Sequence, residues 1–192
     1  MIAAEDTVLV LLAAGKSVRF GAESSKLDQP LGGHALGLHA ALTLTSVPFA
    51  ARVAIVSRCR IDYAAHGFAM VENDDPTGNM ASSLRLGIVW ARDRGAAAVL
   101  VALADMPRVT AAHVQRLLEA AEGSDAVVAS ASPGLPPRPP AIFGRDLFPQ
   151  LLALSGDHGA RDLIRAGHLV EASPAELIDI DTREDLESMR LA

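Results

Sequence analysis

One cysteine, one tryptophan and one tyrosine stand in 192 residues, and aromatics make up only 4%. Cys59, alone, can neither close a disulfide framework nor supply a thiolate zinc site within the chain. Positive charge is short as well. Against 23 Asp and Glu there are 17 Lys and Arg, a net −6 that argues against broad nucleic-acid binding by charge. Long apolar runs are missing: "VLVLLAA" falls far short of the ~20 residues a membrane span needs. "MIAAEDT" carries acids where a secretory leader would carry cations. The six His show no metal-binding spacing. What remains is 50% apolar and 21% charged, over a length that can bury one sizeable core. The expectation is a single cytoplasmic domain over 1–192, with neither membrane nor nucleic acid as partner.

Short apolar runs suited to buried strands occupy 7–12, 51–57, 97–103 and 125–130, with weaker ones at 68–72, 140–143 and 176–181. Between them, apolar spacing predicts helices over 34–45, 80–95, 110–123, 145–154, 159–167 and 182–192. Thr110 and Thr182 stand as N-caps of two of these. The alternation predicts an α/β fold with a doubly wound, mostly parallel sheet. The proline-dense 132–140 reads as a stiff surface loop. Ligands of such sheets bind at the carboxyl ends of strands, so chemistry belongs just after residues 12, 57, 72, 103 and 130.

The first of those positions opens "LLAAGKSVRFGAESSKL", a strand that empties into small residues and two Gly, with Lys16, Arg19 and Lys26 inside eleven residues. Backbone N–H groups of such a loop can wrap an anion, and the cations add to the field that a triphosphate would meet. Ala13 and Ala14 leave room for a flat ring. An ordinary β-α turn with solvated cations fits the same residues. Neither a P-loop nor the dinucleotide G-x-G-x-x-G is present, which argues against an NAD-linked oxidoreductase. After the strand at 97–103, "ADMP" holds Asp105 at the tip, where a carboxylate can bind a metal or simply make a turn. "TGNMASSLRLG" puts Gly78 and Ser83 at a helix start, suited to a base or ribose. In "SGDHGARDLI", Asp157 and Arg161 precede or open another helix. "LIDIDTRED" spaces Asp179 and Asp181 to one face of a strand.

"LLAAGKSVRFG…SKL" resembles the signature of the MobA-like nucleotidyltransferases, and its A-A-G form is similar to the molybdenum cofactor cytidylyltransferases. "ADMP", "SLRLG", "GDHGAR" and "DIDTRED" resemble the family's further elements, in the family's order. The resemblance implies a three-layer, Rossmann-like, nucleotide-diphospho-sugar transferase-like fold. It implies transfer of CMP from CTP to a molybdopterin-type acceptor with Mg²⁺ and release of pyrophosphate. Transient contact with a molybdoenzyme or its chaperone would follow. Arg19, Lys26 and Asp105 would be catalytic, with Asp105 and Asp181 on the metal. Ala13, Ala14, Gly15, Lys16, Ser17, Gly78 and Ser83 would bind nucleotide, and Asp157 and Arg161 the acceptor. Two departures stand out. Four residues separate Gly21 from Lys26 where the family commonly has two, and Arg138-Pro139-Pro140 replaces a Gly-polar-Pro element. A sugar- or polyol-phosphate acceptor, GTP as donor, and a non-catalytic nucleotide- or cofactor-binding module are the alternatives.

Overall fold

The computed structural model describes residues 1–15, 20, 25–76, 78–156 and 160–191. Strands β1 (Thr7–Ala13), β4 (Ala51–Val56), β5 (Ala69–Glu72), β6 (Ala98–Leu103), β7 (Val127–Ser132), β8 (Leu135–Gly144) and β9 (His168–Glu171) form one sheet. Their spatial order is β5-β4-β1-β6-β8-β7-β9. Every neighbour pair is parallel except those of β8, which runs antiparallel to both β6 and β7. A small hairpin, β2 (Pro30–Leu31) with β3 (His34–Ala35), stands apart.

Burial on both faces explains the unbroken apolar strands, and alternate residues divide between two cores. Leu9, Leu11, Leu100 and Ile142 face α1 (Leu38–Leu44) and α3 (Ala111–Ala120), meeting Ala41, Leu44, Val114 and Leu117. Val8, Val10, Val99 and Phe143 face α2 (Met80–Arg92), α4 (Phe148–Leu152) and α5 (Arg161–Ala166), meeting Leu84, Ile88, Leu151 and Ile164. The fold is therefore helix–sheet–helix, doubly wound and mostly parallel. A third, smaller cluster joins Phe20, Leu31 and Leu36 to Ile180 and Leu186 of the closing segment and of α6 (Arg183–Leu191).

Four expectations need correction. Residues 34–35 belong to the hairpin rather than a helix, because Gly32 (φ +50°) and Gly33 (φ +89°) form its two-residue turn. The proline-dense stretch is not a loop from 135 onward: it is the first half of β8. Prolines are tolerated there because β6 pairs only with residues 141–144, leaving that edge without a ladder to supply N–H groups. β9, too short and polar to stand out, was not anticipated. Finally, 176–181 is not a strand. Pro174–Leu177 is a 3-10 turn closed by a Ser173–Glu176 capping box, and the chain beyond it touches the strand tip through Ile180 N–H to Asp105 O, 2.9 Å.

Candidate active site

The order β4-β1-β6 places the reversal of winding between β1 and β6, and there two strand tips lie level. Ala104 N–H donates to Leu12 O at 3.0 Å, bringing Ala13-Ala14-Gly15 beside the turn that carries Asp105. Ala13 and Ala14 are buried and Gly15 is exposed. Lys16, Ser17, Arg19 and Asp157 lie outside the described residues.

Lys26 begins a 3-10 turn, Lys26–Asp28, fixed by the Ser25 side chain accepting from Leu27 N–H at 3.3 Å. Its ammonium reaches Asp105 Oδ2 at 2.7 Å and Asp181 Oδ1 at 3.0 Å. The Lys26 side chain is 8% exposed, that of Asp105 19% and that of Asp181 35%. Three residues distant in sequence thus share one charged cluster. Burial opposes the Lys26 charge, but Asp105 and then Asp181 outweigh it, so the ammonium is held above its ordinary range. Burial pushes the Asp105 carboxyl up against the pull of Lys26, and Asp179 and Asp181 repel it further. At 2.7 Å from an ammonium the two groups form an ion pair, held against a desolvation penalty.

Asp181 is aimed by its surroundings. Asp185 Oδ2 accepts from Asp181 N–H (3.1 Å), Thr182 N–H (2.7 Å) and Thr182 Oγ1 (2.7 Å). The Thr182 hydroxyl, with its neighbouring N–H groups behind it, draws the Asp185 carboxyl below its usual range.

The cluster also has the chemistry of a cation site. Asp105 Oδ1 is buried without a hydrogen-bond partner among the described residues. An acceptor so placed, on a carboxyl whose charge burial disfavours, is short of positive charge. Together the Asp105 and Asp181 carboxylates supply the hard oxygen donors a divalent metal prefers. The residues fit, although among the described residues no group of three His, Cys, Asp or Glu gathers around one point.

On one side of this cluster, a cleft of about 240 Å³ is lined by Ala14, Gly15, Arg58, Glu72, Asn73 and Gly78, among others. Gly78 has φ +50°. Asn79 caps α2, accepting from Ser82 N–H at 2.8 Å. Behind them Asn73, 5% exposed, donates its amide to Ser82 Oγ at 2.9 Å and Ser83 Oγ at 2.8 Å. Ser83 is buried and turned to that amide. The sequence motifs single out neither Asn73 nor Arg58. The strand-tip rule is the signal that finds both, since they follow β5 and β4.

On the other side a cleft of about 320 Å³ lies between β6, the prolines of β8 and α5, lined by Leu103, Met106, Pro137, Arg138, Arg161 and Asp179 among others. Arg138 is fixed there, donating to Asp179 Oδ1 at 3.1 Å and Leu177 O at 3.3 Å. Arg161 opens α5 on this wall, exposed. Asp179 and Asp181 therefore serve different partners, one Arg138 and the other Lys26.

The chain belongs to the MobA-like NTP transferase family, whose domain pattern matches residues 9–172. The purine catabolism protein PucB of Bacillus subtilis (strain 168) is 32% identical over 201 residues, spanning 95% of each chain. A nucleotidyl transferase from Methanothermobacter thermautotroptrophicus has the same fold, with TM-score 0.78 at 24% identity over 96% of this chain and 95% of that one. So does Rv0371c of Mycobacterium tuberculosis H37Rv, with TM-score 0.82 at 22% identity over the whole of both chains. Rv0371c has also been solved in complex with manganese, with TM-score 0.76 at 20% identity over 97% and 98% of the two chains. Nucleotidyl transfer is the chemistry of the family, and a nucleoside triphosphate its donor. Among the described residues no helix is long and apolar enough to cross a membrane.

Proposed function

We propose that the protein transfers CMP from CTP to the terminal phosphate of a molybdopterin-type cofactor, releasing pyrophosphate. The observation that carries this reading is the juncture of the A-A-G strand tip with the Lys26–Asp105–Asp181 cluster, between two clefts. The A-A-G form of the loop favours cytidylyl over guanylyl transfer.

The acceptor phosphate is already an anionic nucleophile, so the protein needs no strong base, only in-line placement and balanced charge. The smaller cleft, lined by Ala14, Gly15 and Gly78 and backed through Asn73 by Ser83, would take the nucleoside, with Ala13 buried beneath. Lys26, with Lys16, Ser17 and Arg19 of the same loop, would hold the triphosphate and steady the departing pyrophosphate. Asp105 and Asp181 would hold a divalent cation, Mg²⁺ in this reading, which when bound neutralises charge on the reacting phosphate. The acceptor oxygen then bonds to the α-phosphorus of CTP as the α–β bridging bond breaks. Asp157 and Arg161 would meet the acceptor in the larger cleft. A molybdoenzyme or its chaperone would take the product.

The test is pyrophosphate release with Mg²⁺, each nucleoside triphosphate in turn, and molybdenum-loaded molybdopterin as acceptor. Release with CTP and that acceptor alone is the expected result. Release with GTP, or with a sugar or polyol phosphate in place of the cofactor, would replace the assignment. The Arg138–Asp179 pair gives that second acceptor class its one specific support. It sets a fixed cation at the Gly position of that Gly-polar-Pro element, with Pro139 at the polar one.

A further inference from the structure

The ammonium of Lys26 stands between two carboxylates, where a bridging cation would stand. The main chain that carries each carboxylate is anchored. Asp105 sits on the strand tip, its carbonyl accepting from Ile180 N–H, and Asp181 N–H is held by Asp185. Lys26 Nζ is instead the end of a four-carbon stem, a compact charge that swings without moving the main chain. Among the described residues, two carboxylates and one ammonium leave a single negative charge. A dication entering that gap beside the ammonium would set like charges at contact distance, in a place with little water to screen them. Metal and ammonium therefore exclude each other from the bridging position. A triphosphate offers the ammonium new anionic partners a short swing away.

We propose that Lys26 is the resident counter-cation of this carboxylate pair, and that metal enters with the nucleotide, as the triphosphate draws the ammonium off. The proposal rests on the reading of Asp105 and Asp181 as metal ligands. It makes binding ordered: the metal-free site keeps its shape and repels a free dication until CTP arrives.

Mn²⁺ titration followed by the electron paramagnetic resonance of the free ion tests it, with and without CTP. The wild-type protein should bind Mn²⁺ weakly alone. Lys26→Met should bind Mn²⁺ alone at least tenfold more tightly, and its thermal midpoint should rise on adding Mn²⁺ more than the wild type's. Equal affinity of the two proteins for Mn²⁺ alone would overturn the proposal. A second measurement needs no variant. Mn²⁺ forced onto the wild-type protein must expel the ammonium, so Lys26 should become reactive to an amine-modifying reagent, read by peptide mass. Lys26 remaining protected with metal bound would overturn it. Asp105→Asn separates the two readings. If that variant binds Mn²⁺ with CTP as the wild type does, the metal assignment fails and this proposal with it. If it loses Mn²⁺ while Lys26→Met matches the wild type, only the role of Lys26 fails.

Discussion

Replacing Asp105 by Asn should separate chemistry from stability. The substitution keeps the shape of the side chain and an acceptor for Lys26, and removes only the charge. A charge-assisted hydrogen bond of the Lys26–Asp105 kind contributes about 1.5–3 kcal/mol, and a neutral acceptor roughly half of that. Two features shrink the loss. Asp181 remains 3.0 Å from the ammonium, and burial holds the Asp105 carboxyl above its ordinary range, so its charge is itself a burden on the folded state. A net destabilisation of about 1 kcal/mol follows, or roughly 2–4 °C in thermal midpoint for a chain of this size. Turnover should suffer far more. Loss of one preorganised electrostatic group commonly lowers kcat by about 10²–10³, and Asp105 would hold both the metal and Lys26. Pyrophosphate release and differential scanning calorimetry on the same preparation give both numbers. Turnover within tenfold of wild type would refute the role of Asp105 in the reaction. A midpoint lower by more than about 10 °C would show instead that the charge is a structural keystone, and the activity loss would then carry no mechanistic weight.

Removal of the Asn73 amide (Asn73→Ala) strips two buried serine hydroxyls of their donor, which should cost about 2–3 kcal/mol in urea unfolding and raise KM for CTP more than it lowers kcat. Gly87→Ala would set a Cβ 2.3 Å from Val10 Cγ1. Overpacking of about 1–3 kcal/mol should exceed alanine's helix preference of about 1 kcal/mol, and a variant as stable as wild type would contradict that packing. His113 is fully buried, with Nδ1 accepting from Arg116 at 3.0 Å and Nε2 donating to Ser130 Oγ at 2.7 Å, whose hydroxyl donates to Pro140 O. Burial, and then Arg116, depress its pKa below 6.5. The unfolded chain takes up that proton more readily, so stability is full above pH ~6.5 and falls as pH drops toward the folded value. Urea midpoints at pH 5, 6 and 7.5 should show the fall, and His113→Gln should flatten it.

The parts of the fold that the sequence disclosed are those whose physics is local. β1, β4 and β6 are buried on both faces, so their apolar runs are unbroken, and the rule that ligands gather at strand tips led to Asp105 without reference to any partner. Non-local physics stayed hidden. Nothing near Lys26 in sequence says that its ammonium will meet Asp181, 155 residues away, rather than solvent. The proline segment of β8 was read from composition, whereas its neighbours decide whether a missing N–H matters. The pairing of Asp179 and Asp181 on one face assumed a strand; a 3-10 turn and one hydrogen bond to Asp105 O direct them to separate partners instead. Arg138 and Asn73 act through contacts with side chains that sequence spacing does not order.

The closing helix reaches back across the molecule. Arg183 donates to Phe20 O at 3.1 Å and Arg190 to Pro30 O at 2.7 Å, while Ile180 and Leu186 pack against Phe20, Leu31 and Leu36. Phe20 and the hairpin are thus clamped by residues about 160 positions further along the chain. A nascent chain can assemble its sheet before Asp181 and the clamp emerge, so the charged cluster is completed only after the strands. Proofreading of a kind is built into that order: a chain cut between β9 and Asp181 keeps its strands but cannot present the complete cluster to a nucleotide.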